Sequence, residues 1–211
     1  MDHPIVFVDL ETGGTDENIH QITQIAAVAT RPFPDLEIIA QFECKVELVE
    51  GHYEQEALDV QNYDETVWFT DAVPAKKAIS WLSEFCREYT HSRISGRTGK
   101  PYRVAHLAGY NVGFDSDFLR ATAERLRMWV PLTNWTGGYF DVLHLAKWAL
   151  ALGGEMVTQS LKLADVCALF EIELEAHDAM NDVRATVELC KRLFTNIPEE
   201  RMPFTAGSFG P

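Results

Sequence analysis

Residues 5–14 read "IVFVDLETGG". Four apolar residues in a row suit a strand covered on both faces. The run ends in Asp9 and Glu11, and Gly13 and Gly14 break it. In a strand, residues two apart point to the same face, so the two carboxylates project together. Burying like charges is costly unless something cationic holds them. A chain that starts this way must wrap a core around this strand and arrange for cations at its end.

The rest of the chain supplies that core. Strands are expected at 4–10, 21–31 and 35–47, with a turn marked by Pro32 and Pro34, giving an antiparallel meander. A short helix is expected at 54–60. A longer one fits 74–90, with Pro74 in its first turn and Ile79, Leu82, Phe85, Cys86 and Tyr89 at helical spacing. "RVAHLAGY", 103–110, reads as one further strand. Helices follow at 114–129, 141–151, 159–170 and 178–194. Strands first and then alternation with helices indicate an α/β fold: a mixed sheet, its first three strands antiparallel and later ones parallel, flanked by helices. One domain is expected over 1–195, with a C-terminal tail over 196–211.

Composition narrows the setting. Cys44, Cys86, Cys167 and Cys190 are widely spaced, as for buried free thiols in a reducing compartment. "MDHPIVFVDL" has no basic stretch of the kind that opens a signal peptide, and no apolar run approaches membrane-spanning length. A cytoplasmic location is expected. The formal net charge of −14 disfavours a surface that binds nucleic acid over its whole extent. Positive charge is nevertheless concentrated in "REYTHSRISGRTGKPYR", where Arg93, Arg97 and Lys100 join Arg87 and Arg103. This stretch reads either as a solvated connection or as a local patch for a polyanion. Its "SGRTGKP" is not a phosphate loop, since Pro101 stands where Ser or Thr is required.

Two further segments place carboxylates in apolar stripes. In "FDSDFLRATAERL", Asp115 falls in line with Phe118 and Leu119, whereas Asp117 falls in line with Arg120, Ala121 and Glu124. Only Asp115 is expected to point inward; Asp117 suits a solvated helix N-terminus. In "HDAMNDVRATVELCKRLF", Asp182 precedes Thr186, Leu189 and Leu193 at helical spacing, and His177 lies just ahead of the helix. An aspartate in an apolar stripe requires a partner. If Asp9, Glu11, Asp115 and Asp182 converge, they cannot all stay ionised without cations. Oxygen-only ligands favour Mg²⁺ or Mn²⁺. Two such ions suit in-line displacement at phosphorus, with a neutral histidine to accept a proton from water.

Together, "DLETGG", "NVGFDSDFL" and "HDAMND" resemble the three motifs of the DnaQ-like, or DEDDh, 3′–5′ exonucleases, in the family's order and over roughly residues 4–195. The resemblance implies a ribonuclease H-like fold and release of nucleoside monophosphates from 3′ ends of nucleic acid. It implies that Asp9, Glu11 and Asp182 hold the ion carrying the attacking water. Asp9 would bridge to a second ion reached by Asp115, and His177 would be the general base. It further implies substrate contacts from Thr12, Gly13, Asn111 and Phe114, and from Glu56 in "YEQEALDVQN". The family often has His-Gly where Gln61 and Asn62 stand here, which weakens the match at Glu56. Asp141 matches a recurrent family position but reads better as a helix N-cap.

The motifs do not separate DNA from RNA. A DNA exonuclease is the leading expectation, and an exoribonuclease trimming RNA ends or short oligonucleotides is the alternative. A catalytically silent binding or scaffold domain is disfavoured by the intact set of four carboxylates and His177. The short tail after 195 favours a stand-alone enzyme over a polymerase-bound proofreader; a polymerase or homodimer partner stays open.

Overall fold

A computed structural model of the chain describes residues 3–61, 63–133, 138–153, 160–174 and 178–195. The tail over 196–211 and His177 therefore lie outside the described residues. The main sheet has the order β3-β2-β1-β6-β7. The meander is as expected: β1 (Ile5–Thr12) pairs antiparallel with β2 (Ile22–Thr30), and β2 with β3 (Ile38–Lys45). β2 is buried along its whole length, which suits its run of small and β-branched residues, whereas β3 alternates as an edge strand does. β6 (His106–Gly109) runs parallel to β1, and the short β7 (Phe140–Asp141) parallel to β6.

Between the meander and β6 come three helices and a hairpin. These are α1 (Gln55–Val60), α2 (Glu65–Asp71), α3 (Ala75–Glu88) and the antiparallel pair β4 (His91–Ile94) and β5 (Pro101–Val104). After β6 come α4 (Gly113–Leu126), α5 (Val142–Gly153), α6 (Leu163–Leu169) and α7 (Ala179–Thr195). Each face of the sheet has its own core. Val6, Val8 and Leu10 join residues of α3 and α4 on one side. Ile5, Phe7, Ala26 and Val28 join α5, α6 and α7 on the other. All four cysteines are buried free thiols, and burial pushes Cys44 and Cys190 up to about 12.

The structure departs from the sequence expectations at several points. The stretch 103–110 is two strands, because the Ala105 backbone bonds to Pro131 O and Thr133 N and so hands the chain from one sheet to the other. The basic stretch 87–103 ends α3 and then forms the exposed β4–β5 hairpin, which leaves both its readings open. α2 and β7 were not anticipated. One has seven residues and the other two, too short for a periodic signal, and α2 is started by Asp64, whose side chain accepts the Val67 N–H. The helix expected from 159 begins at Leu163, with Ser160 and Leu161 outside it.

Candidate active site

Alternation along β1 puts Asp9 and Glu11 on the same face as Ile5 and Phe7, the face that α7 covers. Asp182 lies in the first turn of α7, between the buried Met180 and Val183. One carboxylate oxygen from each of Asp9, Glu11 and Asp182 lies within 4.8 Å of the other two. Strand end and helix start thus meet because the apolar residues beside them share one core.

Asp115 arrives from the other side of the sheet. It sits in the first turn of α4, 4% exposed. The β1–β6 ladder stops at the Phe7–Ala108 pair, and beyond it Asp115 Oδ1 accepts the Leu10 N–H at 2.9 Å. Asp115 is therefore fastened to the backbone between Asp9 and Glu11, outside the three-oxygen cluster itself. Asp117, as expected, faces solvent and pairs with Arg120 at 2.5 Å.

The electrostatics follow from this crowding. Burial holds Asp9 well above the usual carboxylate range, and the charges of Asp115, Asp182, Glu11 and Asp178 push it further. Burial, then Asp182, Asp115 and Asp178, raise Glu11 to about 8. Asp115 is raised to about 7, again chiefly by burial; hydrogen bonds such as that from Leu10 N–H pull the other way. Carboxylates that raise one another at this range are a poor arrangement for an apo protein and a good one for a hard divalent cation. The donor set, all oxygen, fits Mg²⁺ or Mn²⁺.

The remaining expected contacts are scattered. Thr12 and Gly13 follow directly on Glu11. The Gly13 N–H donates to Gln21 O and its carbonyl accepts from Glu54 N–H, so a ligand would meet its Cα face and not its amide. A Cβ there would come 2.6 Å from Tyr53 Cβ, which is why glycine stands at this position. Glu56 is exposed on α1, the helix that the Glu54–Gly13 bond fastens beside this turn. Asn111 has φ 55° and donates its N–H to Asp141 Oδ1. The Asp141 carboxylate also accepts the Leu143 N–H, so it both caps α5 and ties down the β6–α4 turn. Phe114 packs its ring at a tilt against Phe118, centroids 4.8 Å apart.

Arg93, Arg97 and Lys100 are not brought to the carboxylates. Their hairpin leaves the sheet where His106 pairs with Ile5, the opposite end of β1 from Glu11. Two residues that the motifs did not flag do reach the site's edge. Gln61 and His20 are both buried, and both hold the backbone around Thr12–Gly14. Neither interrupts an apolar stripe; Gln61 stands out only as a departure from the family's His-Gly, and nothing in the sequence marks His20.

No family model matches the chain. A ribonuclease T of Hahella chejuensis (strain KCTC 2396) is 30% identical over 191 residues, covering 87% of this chain and 80% of the relative. Among solved structures, the zinc-bound E. coli exonuclease I complex with single-stranded DNA superposes with a TM-score of 0.72, at 20% identity over 94% of this chain. Exonuclease I of Methylocaldum szegediense gives 0.70, at 21% identity over 93%. The chain spans about two fifths of the length of these exonuclease I proteins, 42% and 41%, and the likeness to them is one of fold. The ordered motifs, the mixed sheet with its clustered carboxylates and the ribonuclease T relative together make the chain a member of the DnaQ-like (DEDDh) 3′–5′ exonucleases.

Proposed function

We propose that the chain removes single nucleotides from the 3′ ends of single-stranded nucleic acid, DNA foremost, as 5′-monophosphates with two divalent cations at the carboxylates. The observation that carries this is the convergence of Asp9, Glu11 and Asp182 on one cluster, with Asp115 fastened to Leu10 beside it. Mg²⁺ or Mn²⁺ bound there supplies the positive charge that lowers the pKa of a water and steadies the leaving oxygen. The protein's own work is positional. β1 and α7 hold three of the carboxylates rigidly, α4 adds the fourth, and the Thr12–Gly14 turn seats the last nucleotide beside them. His177, five residues before Asp182, accepts the proton of the attacking water.

RNA ends are the second reading, and the ribonuclease T relative is what favours it. Parallel digestion of 3′-labelled single-stranded DNA, duplex DNA and RNA in Mg²⁺ or Mn²⁺ decides the substrate. Cleavage from the 3′ end of DNA at the highest kcat/KM supports the first reading, and a preference for RNA installs the second. His177→Ala should lower kcat by about 10²–10⁴-fold, the range for losing a general base. Metal affinity measured by calorimetry should be unchanged. An equal loss of metal binding would make His177 a ligand and not a base.

A further inference from the structure

The Thr12–Gly14 turn is held by two buried side chains from outside the three motifs. Gln61, 7% exposed, donates from Nε2 to Thr12 O at 2.5 Å and accepts from Thr23 Oγ1 at 2.6 Å. Its amide is thereby locked between β1's last carbonyl and the start of β2. His20, 8% exposed, closes the other side. Its Nδ1 accepts the Asp16 N–H at 3.0 Å, so this nitrogen carries no proton and Nε2 directs its N–H at Glu54 Oε1, 3.4 Å away. The ring lies flat enough on the turn that a Cβ at Gly14 would come 2.6 Å from it. Glu54 in turn holds the Gly13 carbonyl through its own N–H at 2.7 Å, and Arg125 of α4 donates to His20 O at 3.4 Å.

We propose that His20 and Gln61 are positioning residues that clamp the Thr12–Gly14 turn as the seat of the 3′-terminal nucleotide, and so set the enzyme's grip on a strand end. The proposal rests on the reading of the turn as that seat. A buried histidine and a buried glutamine are costly unless their polar atoms are satisfied. Here Gln61 donates to the Thr12 carbonyl and accepts from the Thr23 hydroxyl, and His20 accepts the Asp16 N–H just past the turn and faces the Glu54 carboxylate. None of these contacts goes to Asp9, Glu11, Asp115 or Asp182. Loosening the clamp therefore leaves the cation site whole and frees the turn. A seat that must be ordered at binding weakens affinity without changing the chemical step once the strand is saturating.

The test uses the full chain and a short 3′-labelled oligonucleotide, with His20→Ala, His20→Asn, Gln61→Ala and Gln61→Glu. The Asn side chain places an acceptor where Nδ1 stands, so it preserves the Asp16 bond. The Glu side chain is the shape of Gln but, ionised, cannot donate to Thr12 O. His20→Ala, Gln61→Ala and Gln61→Glu should raise KM about tenfold, the effect of a lost hydrogen bond of ordinary strength. kcat should stay within about threefold, and Mg²⁺ affinity by calorimetry should not move. His20→Asn should recover most of the wild-type KM. A KM unchanged in Gln61→Glu, or a KM raised as much in His20→Asn as in His20→Ala, overturns the clamp. A fall in kcat at constant KM overturns it too. If the wild type cleaves no strand end, the functional reading fails and the clamp with it; if it cleaves and the variants match it, only the clamp fails.

Discussion

The two ends of β1 solve the same problem in opposite ways. At its C-terminal end, carboxylates crowd together and each raises the others, so the arrangement is complete only with added cations. At its N-terminal end, imidazoles crowd together: His3 stacks on His91 at 4.6 Å and His91 on His106 at 4.1 Å. Burial, then His106, His3, Arg93 and Arg103, lower His91 to about 4, and burial also lowers His106. A histidine can escape the crowding by staying neutral near pH 7, whereas a carboxylate with a normal pKa of about 4 cannot. One end therefore relieves its crowding by neutralisation, though it leaves the buried His91 Nδ1 without a hydrogen bond, and the other is a site in need of a ligand. Like groups in close contact mark function only where neutralisation is not available for free.

The largest effect that separates the ends is removal of metal. Chelation should abolish cleavage, by at least about 10³-fold, and Mg²⁺ or Mn²⁺ should restore it. Asp9→Asn should show the same loss while its fold, followed by circular dichroism, persists. Full activity in excess chelator would break the comparison outright, because the carboxylate end would then be as self-sufficient as the histidine end.

Within the carboxylate end, Asp115 and Asp117 sharpen the comparison. Asn at 115 keeps an oxygen for the Leu10 N–H but loses the charge, so kcat should fall by about 10²-fold. Asp117 is half exposed and paired with Arg120, and Asp117→Asn should change kcat by less than about twofold. Equal losses at the two positions would show that α4 presents both to the site.

The two ends should also respond oppositely to pH in the metal-free protein. Glu11 and Asp115 have folded values raised to about 8 and about 7. Their contribution to stability is present at low pH and is lost as pH rises through those values. His91 is depressed to about 4. Its contribution is present above the unfolded value of about 6.5 and is lost as pH falls toward 4. Thermal melts in chelator should therefore lose stability from about pH 4 up to about 8, with the His91 contribution opposing that loss below about 6.5. Glu11→Gln should lessen the fall across this range, and His91→Phe should steepen it below about pH 6.5 only. Mg²⁺ should stabilise most above pH 8, where the carboxylates it binds are ionised. A Glu11→Gln curve with the wild-type slope would place the titrating group elsewhere.

The same contrast explains what was legible in the sequence. Asp9, Glu11, Asp115 and Asp182 each interrupt an apolar periodicity, and a carboxylate in a core stripe is visible without a structure. The meander and the long helices α3, α4 and α7 were legible for the same reason, since their apolar faces repeat at the right period. The split at Ala105 was not, because it depends on backbone bonds to residues 131–133 and not on any side-chain pattern. The roles of His20 and Gln61 were hidden because neither breaks an apolar period: His20 accepts the Asp16 N–H four residues away within one loop, and Gln61 reaches Thr12 O across 49 residues. The basic hairpin was visible as charge, but charge carries no information about which end of the sheet it decorates.

That placement gives the smallest and most discriminating prediction. Arg93, Arg97 and Lys100 are exposed on a hairpin at the His106–Ile5 end of β1. Six residues of strand separate Ile5 from Glu11, about 20 Å at ordinary strand rise. At about 3.4 Å per phosphate along a stacked strand, about six nucleotides lie between the reacting end and this patch, fewer if the strand is extended. If these cations hold substrate, they hold only its distal part. Reversing all three to Glu should leave KM and kcat on a trinucleotide unchanged. On a strand of about twenty nucleotides it should raise KM and reduce the salt slope by about 2, as for three lost single-strand phosphate contacts. The acidic remainder of the surface makes this test sensitive, since with a net charge of −14 little else on the chain attracts a polyanion. A loss on the trinucleotide equal to that on the long strand would mean that the patch acts through the fold and not through contact. No change on either length would make the hairpin, like the stacked histidines beneath it, part of the end of β1 that asks for no ligand.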